Sequence, residues 1–465
     1  MRFTTKRLTM FIVSLALFMD VLDANVINTA VPAMAHTFHV NPIDIKVALI
    51  SYLLSLAIFI PMSGWAADKY GAKNLFIGAM GLFTVMSVFC GFAHVLVLLV
   101  IARFMQGIGG AFMISLGRLI LARTFKRHEL VEAMNTVIIV VAFAVMTGPF
   151  IGGLIVDHWS WPWIFWVNIP VGISVVILSI YGLKETATKN PRPFDFLGFA
   201  LFGGSLAMLC YALSEMSQSN THLESAFMRL GIAVMMLVAY IFHAKRKKHP
   251  AIKIELLKLR TFRISVFGNL CSRLGFAGIP FLFPLLQQVG FGFSAELSGL
   301  LLMPSALGII FSKLFAIKIL RKIGYKKFLL ANTFFVGFVL LSFQLITAQT
   351  PIYVIALFTF IFGVATSAQY TGMNSLALAE IKDEELSAST SITSTMQILA
   401  QSLGVAVGAI LLRVFSSNLN HSLKLTPAIF HDAFFALGII TFLSSFIFMQ
   451  LKAGDGKQML MKAEV

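Results

Sequence analysis

Apolar runs of about twenty residues, each long enough to cross a bilayer core, recur along the whole chain between short polar links. They predict fourteen membrane-spanning helices, near 8–30, 46–66, 75–95, 98–121, 132–156, 163–183, 195–214, 226–243, 264–286, 297–317, 328–346, 352–373, 391–413 and 431–451. Lys and Arg then alternate between the links. One side, with both termini, holds 28 of them; the other holds only Lys46 and Lys424. The other six (Arg103, Arg118, Arg229, Arg273, Lys313 and Arg413) fall in or at the edge of spans. The positive-inside rule makes the basic side, and both termini, cytoplasmic. One missed helix would scramble this alternation. Two would not, so twelve spans is the rival count.

Composition points the same way. Of 465 residues 58% are hydrophobic and 12% charged, with mean hydropathy +0.88. A soluble domain carries about 25% charged residues, so a soluble globular enzyme is excluded. The net charge of +16 does not indicate nucleic acid, because the basic residues are dispersed through the links as in cytoplasmic loops. Cys90, Cys210 and Cys271 lie in apolar runs without disulfide or metal spacing and read as small core residues. Arg2, Lys6 and Arg7 precede the first apolar run, and Ala33-Met34-Ala35 resembles a signal cleavage site. That run has the length of a full span and contains two acids, so it is expected to be a retained helix.

Those acids, Asp20 and Asp23, are the chemistry that the pattern leaves unexplained. A carboxylate in hydrocarbon costs several kcal/mol unless it is paired, protonated or hydrated. At about 1.5 Å per residue, Asp23 lies roughly 22 Å above the cytoplasmic end of span 1, with Asp20 a turn lower. Span 4 descends from the other side and puts Arg103 at a similar depth to Asp23. Arg273 of span 9 lies roughly 15 Å up by the same rise, near the level of Asp20.

An internal repeat supports the second match. DKYGAKN (Asp68–Asn74) follows span 2 and RKIGYKK (Arg321–Lys327) follows span 10, an offset of 253 residues. Gly71 and Gly324 are the expected tight turns. The same offset makes Asp20 and Arg273 equivalent positions. The repeat pairs spans 1–6 with 9–14 and leaves spans 7 and 8 as an insertion. The expected organisation is a six-helix bundle over 1–190, two linker helices with a basic cytoplasmic loop over 191–262, and a second six-helix bundle over 263–465. Repeats of this kind build secondary transporters, with the substrate site between the halves.

Several motifs carry a family resemblance over nearly the whole chain. GWAADKYGAKN (Gly64–Asn74) resembles the signature loop of the major facilitator superfamily, G-x-L-A-D-R-x-G-R-K. Gly64, Asp68, Gly71 and Lys73 match it, while Ala66, Lys69 and Ala72 depart from it. RFMQGIGGA (Arg103–Ala111) resembles the fourth-span motif R-x-x-Q-G-x-G-x-A. TGPFIGG (Thr147–Gly153) resembles the fifth-span Gly-Pro motif of proton-coupled exporters. LDANVINTAVP (Leu22–Pro32) and WPWIFWVNIPVG (Trp161–Gly172) are similar to fourteen-span drug:proton antiporters of the EmrB/QacA type, within their MdtD- and HsrA-like branch.

The resemblance implies a major facilitator fold, all-α, with two six-helix bundles and two inserted helices. It also implies a conformational latch at Gly64, Asp68, Lys69, Gly71 and Lys73. Asp68 ends span 2, where it is placed to cap a helix start or to pair with a base on a neighbouring helix. Gly148, Pro149, Gly152 and Gly153 flatten a face of span 5 and permit close helix approach. Asp23 with Arg103, and Asp20 with Arg273, are expected as ion pairs whose opening lets the acid take up a proton. Gln106, Gln287, Gln369, Asn374, Gln397 and Gln401 are candidate substrate-cavity residues, equally able to bond between helices.

The function these observations favour is proton-coupled export of amphipathic small molecules by alternating access, from the inner (cytoplasmic) membrane. The alternative is export of an endogenous metabolite or organic anion attracted by Arg103, Arg118 or Arg273. The expected partners are a small-molecule substrate, protons and the lipid bilayer, without nucleic acid; a periplasmic adaptor is left open. No cofactor is expected, and G-x-x-x-x-G-K-[ST] is absent, so ATP drive within the chain is not supported. No arrangement of nucleophile, base and orienting group suggests an enzyme.

Overall fold

The computed structural model describes residues 5–185, 193–216, 223–248, 250–382, 385–419, 425–452 and 454–456. Lys424 of the sparse basic side, and Asp383 and Glu384 of the acidic link before span 13, lie outside the described residues. The described chain is helical throughout. Its helices are α1 (Thr5–Phe38), α2 (Lys46–Tyr70), α3 (Ala72–Gly91), α4 (Leu96–Thr124) and α5 (Arg127–His158). A single turn, α6 (Trp163–Trp166), leads into α7 (Asn168–Gly182). Then come α8 (Phe196–Glu215), α9 (Leu223–Arg246), α10 (Arg260–Phe276), α11 (Ile279–Leu285) and the short α12 (Ala295–Leu300). The last four are α13 (Met303–Ser342), α14 (Ile352–Leu378), α15 (Leu386–Leu419) and α16 (Pro427–Met449).

Thirteen helical segments of the described residues are long and apolar enough to span a membrane. One of them, Ala295–Leu345, has 51 residues. At 1.5 Å per residue that is roughly 75 Å, more than twice a hydrocarbon core of about 30 Å. It cannot be one crossing. Gly324, with φ +76°, interrupts the helix, so this segment supplies two spans and the count among the described residues is fourteen. Gly71, with φ +86°, makes the corresponding break between α2 and α3. Both repeat turns therefore use a backbone conformation that side chains disfavour.

The first run is one continuous helix to Phe38, through Pro32 and past Ala33-Met34-Ala35. Its far end is held by Trp161, whose indole N–H donates to Thr37 Oγ1 at 2.9 Å.

The chain divides into two compact units: Met1–Phe194 with Ser294–Leu300, and Asp195–Phe293 with Leu301–Val465. In the first, α1 packs on α5, α2 and α3 pack on α4, α3 packs on α7, and α12 lies against α5. In the second, α13 packs on α14 and α16, and α10 packs on α15 and α16. The inserted pair α8–α9 belongs to this unit. Asp195 caps α8, accepting from Gly198 N at 3.1 Å, and ties α8 to the end of α9 through His243 at 2.7 Å. The second unit's core includes Tyr325, Phe328, Leu329, Met373 and Phe448.

Candidate functional site

The fourth-span motif sits on α4 and builds the site. Arg103 and Gln106, one turn apart, share the helix face toward α1, α2 and α3. Arg103 Nη1 forms an ion pair with Asp23 Oδ2, and both side chains are 1% exposed. The depth match is thus realised as contact. Arg103 Nη1 also donates to Gln106 Oε1 at 2.8 Å. Gln106 Nε2 reaches Ser87 Oγ at 2.9 Å and Asp23 Oδ1 at 3.2 Å. Asn168, the first residue of α7, donates to the same Asp23 Oδ1 at 2.7 Å. One carboxylate so receives bonds from three side chains on two further helices, which is how a buried charge is made tolerable.

Aromatic rings complete the enclosure. The Arg103 guanidinium lies 4.2 Å from the Tyr52 ring centroid and 5.5 Å from that of Phe165, within cation–π range. The Tyr52 hydroxyl donates to Asp20 Oδ1 at 2.6 Å. Tyr52 thereby links the two acids of span 1: its edge serves Asp20 and its face serves the partner of Asp23.

The glycines of the motif make room for this. A Cβ on Gly107 would overlap Ser55 Oγ, and one on Gly110 would stand 2.6 Å from Asp20 Oδ1 and 2.9 Å from the Tyr52 hydroxyl. WPWIFWVNIPVG supplies both Phe165 and Asn168, and a Cβ on its Gly172 would overlap Thr84 Oγ1.

Asp20 and Arg273 each have partners within their own unit. Arg273 is 8% exposed. It donates to the Gln397 carbonyl at 3.4 Å and lies 4.1 Å from the Tyr370 ring centroid, with no carboxylate partner among the described residues. Gln397 also donates to Asn374 Oδ1, which Asn269 approaches at 3.5 Å. Arg273, Gln397 and Asn374 are thus brought together; Gln401 is exposed a turn further along α15.

The remaining amides are dispersed. Gln106 is fully buried in the Asp23 network. Gln369 is fully buried between Thr333 Oγ1, at 2.9 Å, and Asn332, at 2.8 Å. Gln287 sits on a π-helical turn, Leu286–Gly290, fully buried, with neither amide atom hydrogen-bonded. π-turns of this kind are frequent at functional sites.

The signature loop is held at one end of the first unit. Asp68 Oδ1 pairs with Arg123, at the end of α4, at 3.1 Å. This ion pair is one of the two roles open to Asp68 in the sequence. Lys69 lies 5.1 Å from both the Trp65 and Tyr70 ring centroids. Lys73 Nζ donates to the Ile180 carbonyl near the end of α7 at 2.6 Å, and Glu185 accepts from Asn74 N at 3.2 Å. A cation thus meets a helix C-terminus and a carboxylate meets a helix N-terminus. A Cβ on Gly71 would overlap Glu185, whereas nothing lies within 4 Å of where one would stand on Gly64.

The fifth-span glycines serve two neighbours rather than one flat face. Gly148 and Gly152 receive α1: their Cβ positions fall on Asn25 Cβ, at 2.8 Å, and on the Val26 carbonyl. Gly153 receives Ala295 of α12, and Pro149 presents its carbonyl to Gly299. Asp157 then accepts from the first N–H groups of α12, Ala295 at 3.2 Å and Glu296 at 2.7 Å.

Sequence reasoning passed over Tyr52, Ser87, Arg123 and Asn168. Asn168 lies in a motif that the sequence singled out. The others carry no local signal beyond a polar side chain in or at the end of a span.

A multi-pass helical protein with a buried charge network in its first unit has the make-up of a membrane transporter. The family model of the Major Facilitator Superfamily matches residues 13–405, with a further match over 265–458, and the chain belongs to that superfamily. Among its relatives is a protein of Escherichia fergusonii named "Putative multidrug resistance protein MdtD", 33% identical over 446 residues, covering 96% of this chain and 94% of the relative. The protein of that name from Escherichia coli K12 is 32% identical over the same lengths. Solved structures with the same fold include a D-xylose-proton symporter, with TM-score 0.69 and 14% identity over 98% of this chain and 100% of that one. The POT family transporter PepTSo has TM-score 0.70 and 12% identity over 95% and 97%. At these identities the solved structures speak for the fold alone.

Proposed function

We propose that this transporter exports amphipathic small molecules in exchange for protons, by alternating access, across the inner membrane with both termini cytoplasmic. The observation that carries the reading is the Asp23–Arg103 pair, buried in a span together with two neutral donors. A carboxylate held in this way is stable as an anion only while its partners stay. Any motion that withdraws Arg103 leaves a charge in a low-dielectric interior, where the protonated form is cheaper. Proton uptake is then tied to a change of conformation, as exchange requires. The relatives named for multidrug resistance support the substrate class, and the 28 to 2 division of basic residues supports the orientation.

Purified protein in liposomes with an imposed pH gradient, offered a panel of cationic dyes and organic anions, tests this reading. Gradient-driven flux of a dye, abolished in Asp23→Asn, is expected. Undiminished flux in Asp23→Asn would remove Asp23 from the coupling role, and no flux of any panel member would reject the transport reading as drawn. The same panel covers a second reading, export of an endogenous organic anion. That reading rests on Arg273, a cation with no carboxylate partner among the described residues and polar side chains around it.

A further inference from the structure

The inserted pair does not close tightly on the rest of the second unit. Between them lies a cavity of about 310 Å³, within the size of small-ligand pockets, about 300–1,000 Å³. Phe202 of α8, Tyr240 of α9, Ile252 of the link to α10, Val266 and Phe267 of α10, and Thr395 of α15 are among its walls. The walls are apolar but for two hydroxyls, and that of Tyr240 is already bonded to the Ile252 backbone at 2.9 Å. Thr395 is fully buried and its Oγ1 has no hydrogen-bond partner among the described residues. Such a hydroxyl is costly unless something bonds it.

The cavity also has a definite depth. Phe202 and Val266 each lie six residues from the start of their helix, Tyr240 six from the end of α9, and Thr395 nine from the start of α15. At 1.5 Å per residue these are roughly 9–14 Å inward, all measured from the end where the α9–α10 link runs. That link, 245–263, carries eight Lys/Arg against one acid, Glu255.

Residues a turn apart share a helix face. Lys245 therefore follows the cavity-lining Ile241 on α9, and Arg263 precedes the cavity-lining Phe267 on α10. Lys253 stands between Ile252 and Ile254, which both line the cavity. Lys245 and Arg263 are exposed. Asp195, at the start of α8, is already engaged by His243 and Ala251 N. On its outer side, α9 faces lipid: only 17% of its most apolar stretch is buried, the smallest share among the described spans.

We propose that this cavity takes an acyl chain of an acidic phospholipid. The phosphate is held at the rim by Lys245, Lys253 and Arg263, and a glycerol ester oxygen accepts from the Thr395 hydroxyl. The bilayer supplies such a chain at this depth, an apolar wall suits it, and the basic rim selects its headgroup. The bound lipid fills the gap between the inserted helices and the bundle. Binding requires no particular transported substrate, so it goes beyond the exporter reading and stands or falls apart from it.

The test uses the full-length protein, exchanged into a neutral detergent until loosely held lipid is gone. Phosphatidylglycerol or phosphatidylcholine is then added back and binding is read by native mass spectrometry. One phosphatidylglycerol per chain is expected in preference to phosphatidylcholine. In the double variant Lys245→Gln/Arg263→Gln, binding is expected to weaken roughly tenfold or more, as for two basic groups at a lipid surface. Both residues are exposed, so their substitution tests recognition without disturbing packing. Val266→Trp, which fills the cavity, is expected to abolish the bound species in protein that still elutes as one symmetric peak. Equal retention of the two lipids, or full phosphatidylglycerol binding in the double variant, overturns the proposal. So does a folded Val266→Trp protein that retains the lipid.

Discussion

Asn168 donates at 2.7 Å to the Asp23 oxygen that Arg103 does not take: Oδ1 receives the amide and Oδ2 the guanidinium. The carboxylate is held from both of its atoms by groups on α7 and α4. Removing a donor from a buried anion costs about 1–3 kcal/mol. Asn168→Ala should therefore lower the melting temperature in detergent measurably. Asn168→Asp, which sets a second acid against Asp23, should lower it further.

The pair itself is open to a double-mutant cycle. Arg103→Gln strands Asp23 in the interior, a loss of about 3–5 kcal/mol for a broken buried pair. Adding Asp23→Asn removes the stranded charge, so the double variant should be more stable than Arg103→Gln alone. Thermal unfolding of the four proteins measures the coupling, and all three variants should fail to exchange protons in the pH-gradient assay. A double variant as unstable as Arg103→Gln would mean that the pair does not act as a unit.

Two glycines of one loop should behave differently. Gly71 combines φ +86° with a Cβ position that overlaps Glu185. Gly71→Ala should thus cost about 1–3 kcal/mol of backbone strain in addition to the clash. Gly64→Ala adds a methyl group where nothing lies within 4 Å and should leave the melting temperature unchanged. Loss of flux in Gly64→Ala with stability intact would assign Gly64 to a conformation other than the one described.

Asp195 gives a prediction with acid. It stands just before α8, outside the span. Burial raises its pKa, but the bond from His243 and those from Gly198 N and Ala251 N outweigh burial and hold the carboxyl below its ordinary value. A group depressed in the folded state adds stability that is fully present above its unfolded pKa, about 3.9. That stability is lost as pH falls below this value and through the folded one. The wild-type melting temperature should fall as pH drops below about 4. Asp195→Asn should start lower at neutral pH and show a shallower acid limb.

Much of the fold is legible in the sequence, because a membrane imposes a length on every helix and a charge bias on every link. Gly71 and Gly324 are recognisable as turns from the repeat alone, and both take up positive φ. The Asp23–Arg103 contact follows from depth, because a charge in a span has few places to find a partner. Asn168, Tyr52 and Ser87 do not follow from the same argument. A neutral polar residue in a span is inexpensive enough to need no special excuse, and nothing in its spacing tells which helix it faces. Gln106 shows the same gap from the other side. Its residue type suits a cavity, and in this structure it is fully buried and bonded to Arg103, Ser87 and Asp23. The cavity beside the inserted pair is invisible in sequence, since Phe202, Tyr240 and Val266 come from three helices whose packing no pattern of apolar residues specifies.

The two rings beside Arg103 have a consequence of their own. Asp23 is ionisable, whereas Tyr52 and Phe165 face the guanidinium as neutral π-surfaces. The guanidinium lies over these electron-rich surfaces at 4.2 and 5.5 Å, so its charge has a counterweight besides the carboxylate. The charge of Arg103 is thus shared between one ionisable neighbour, Asp23, and two neutral rings.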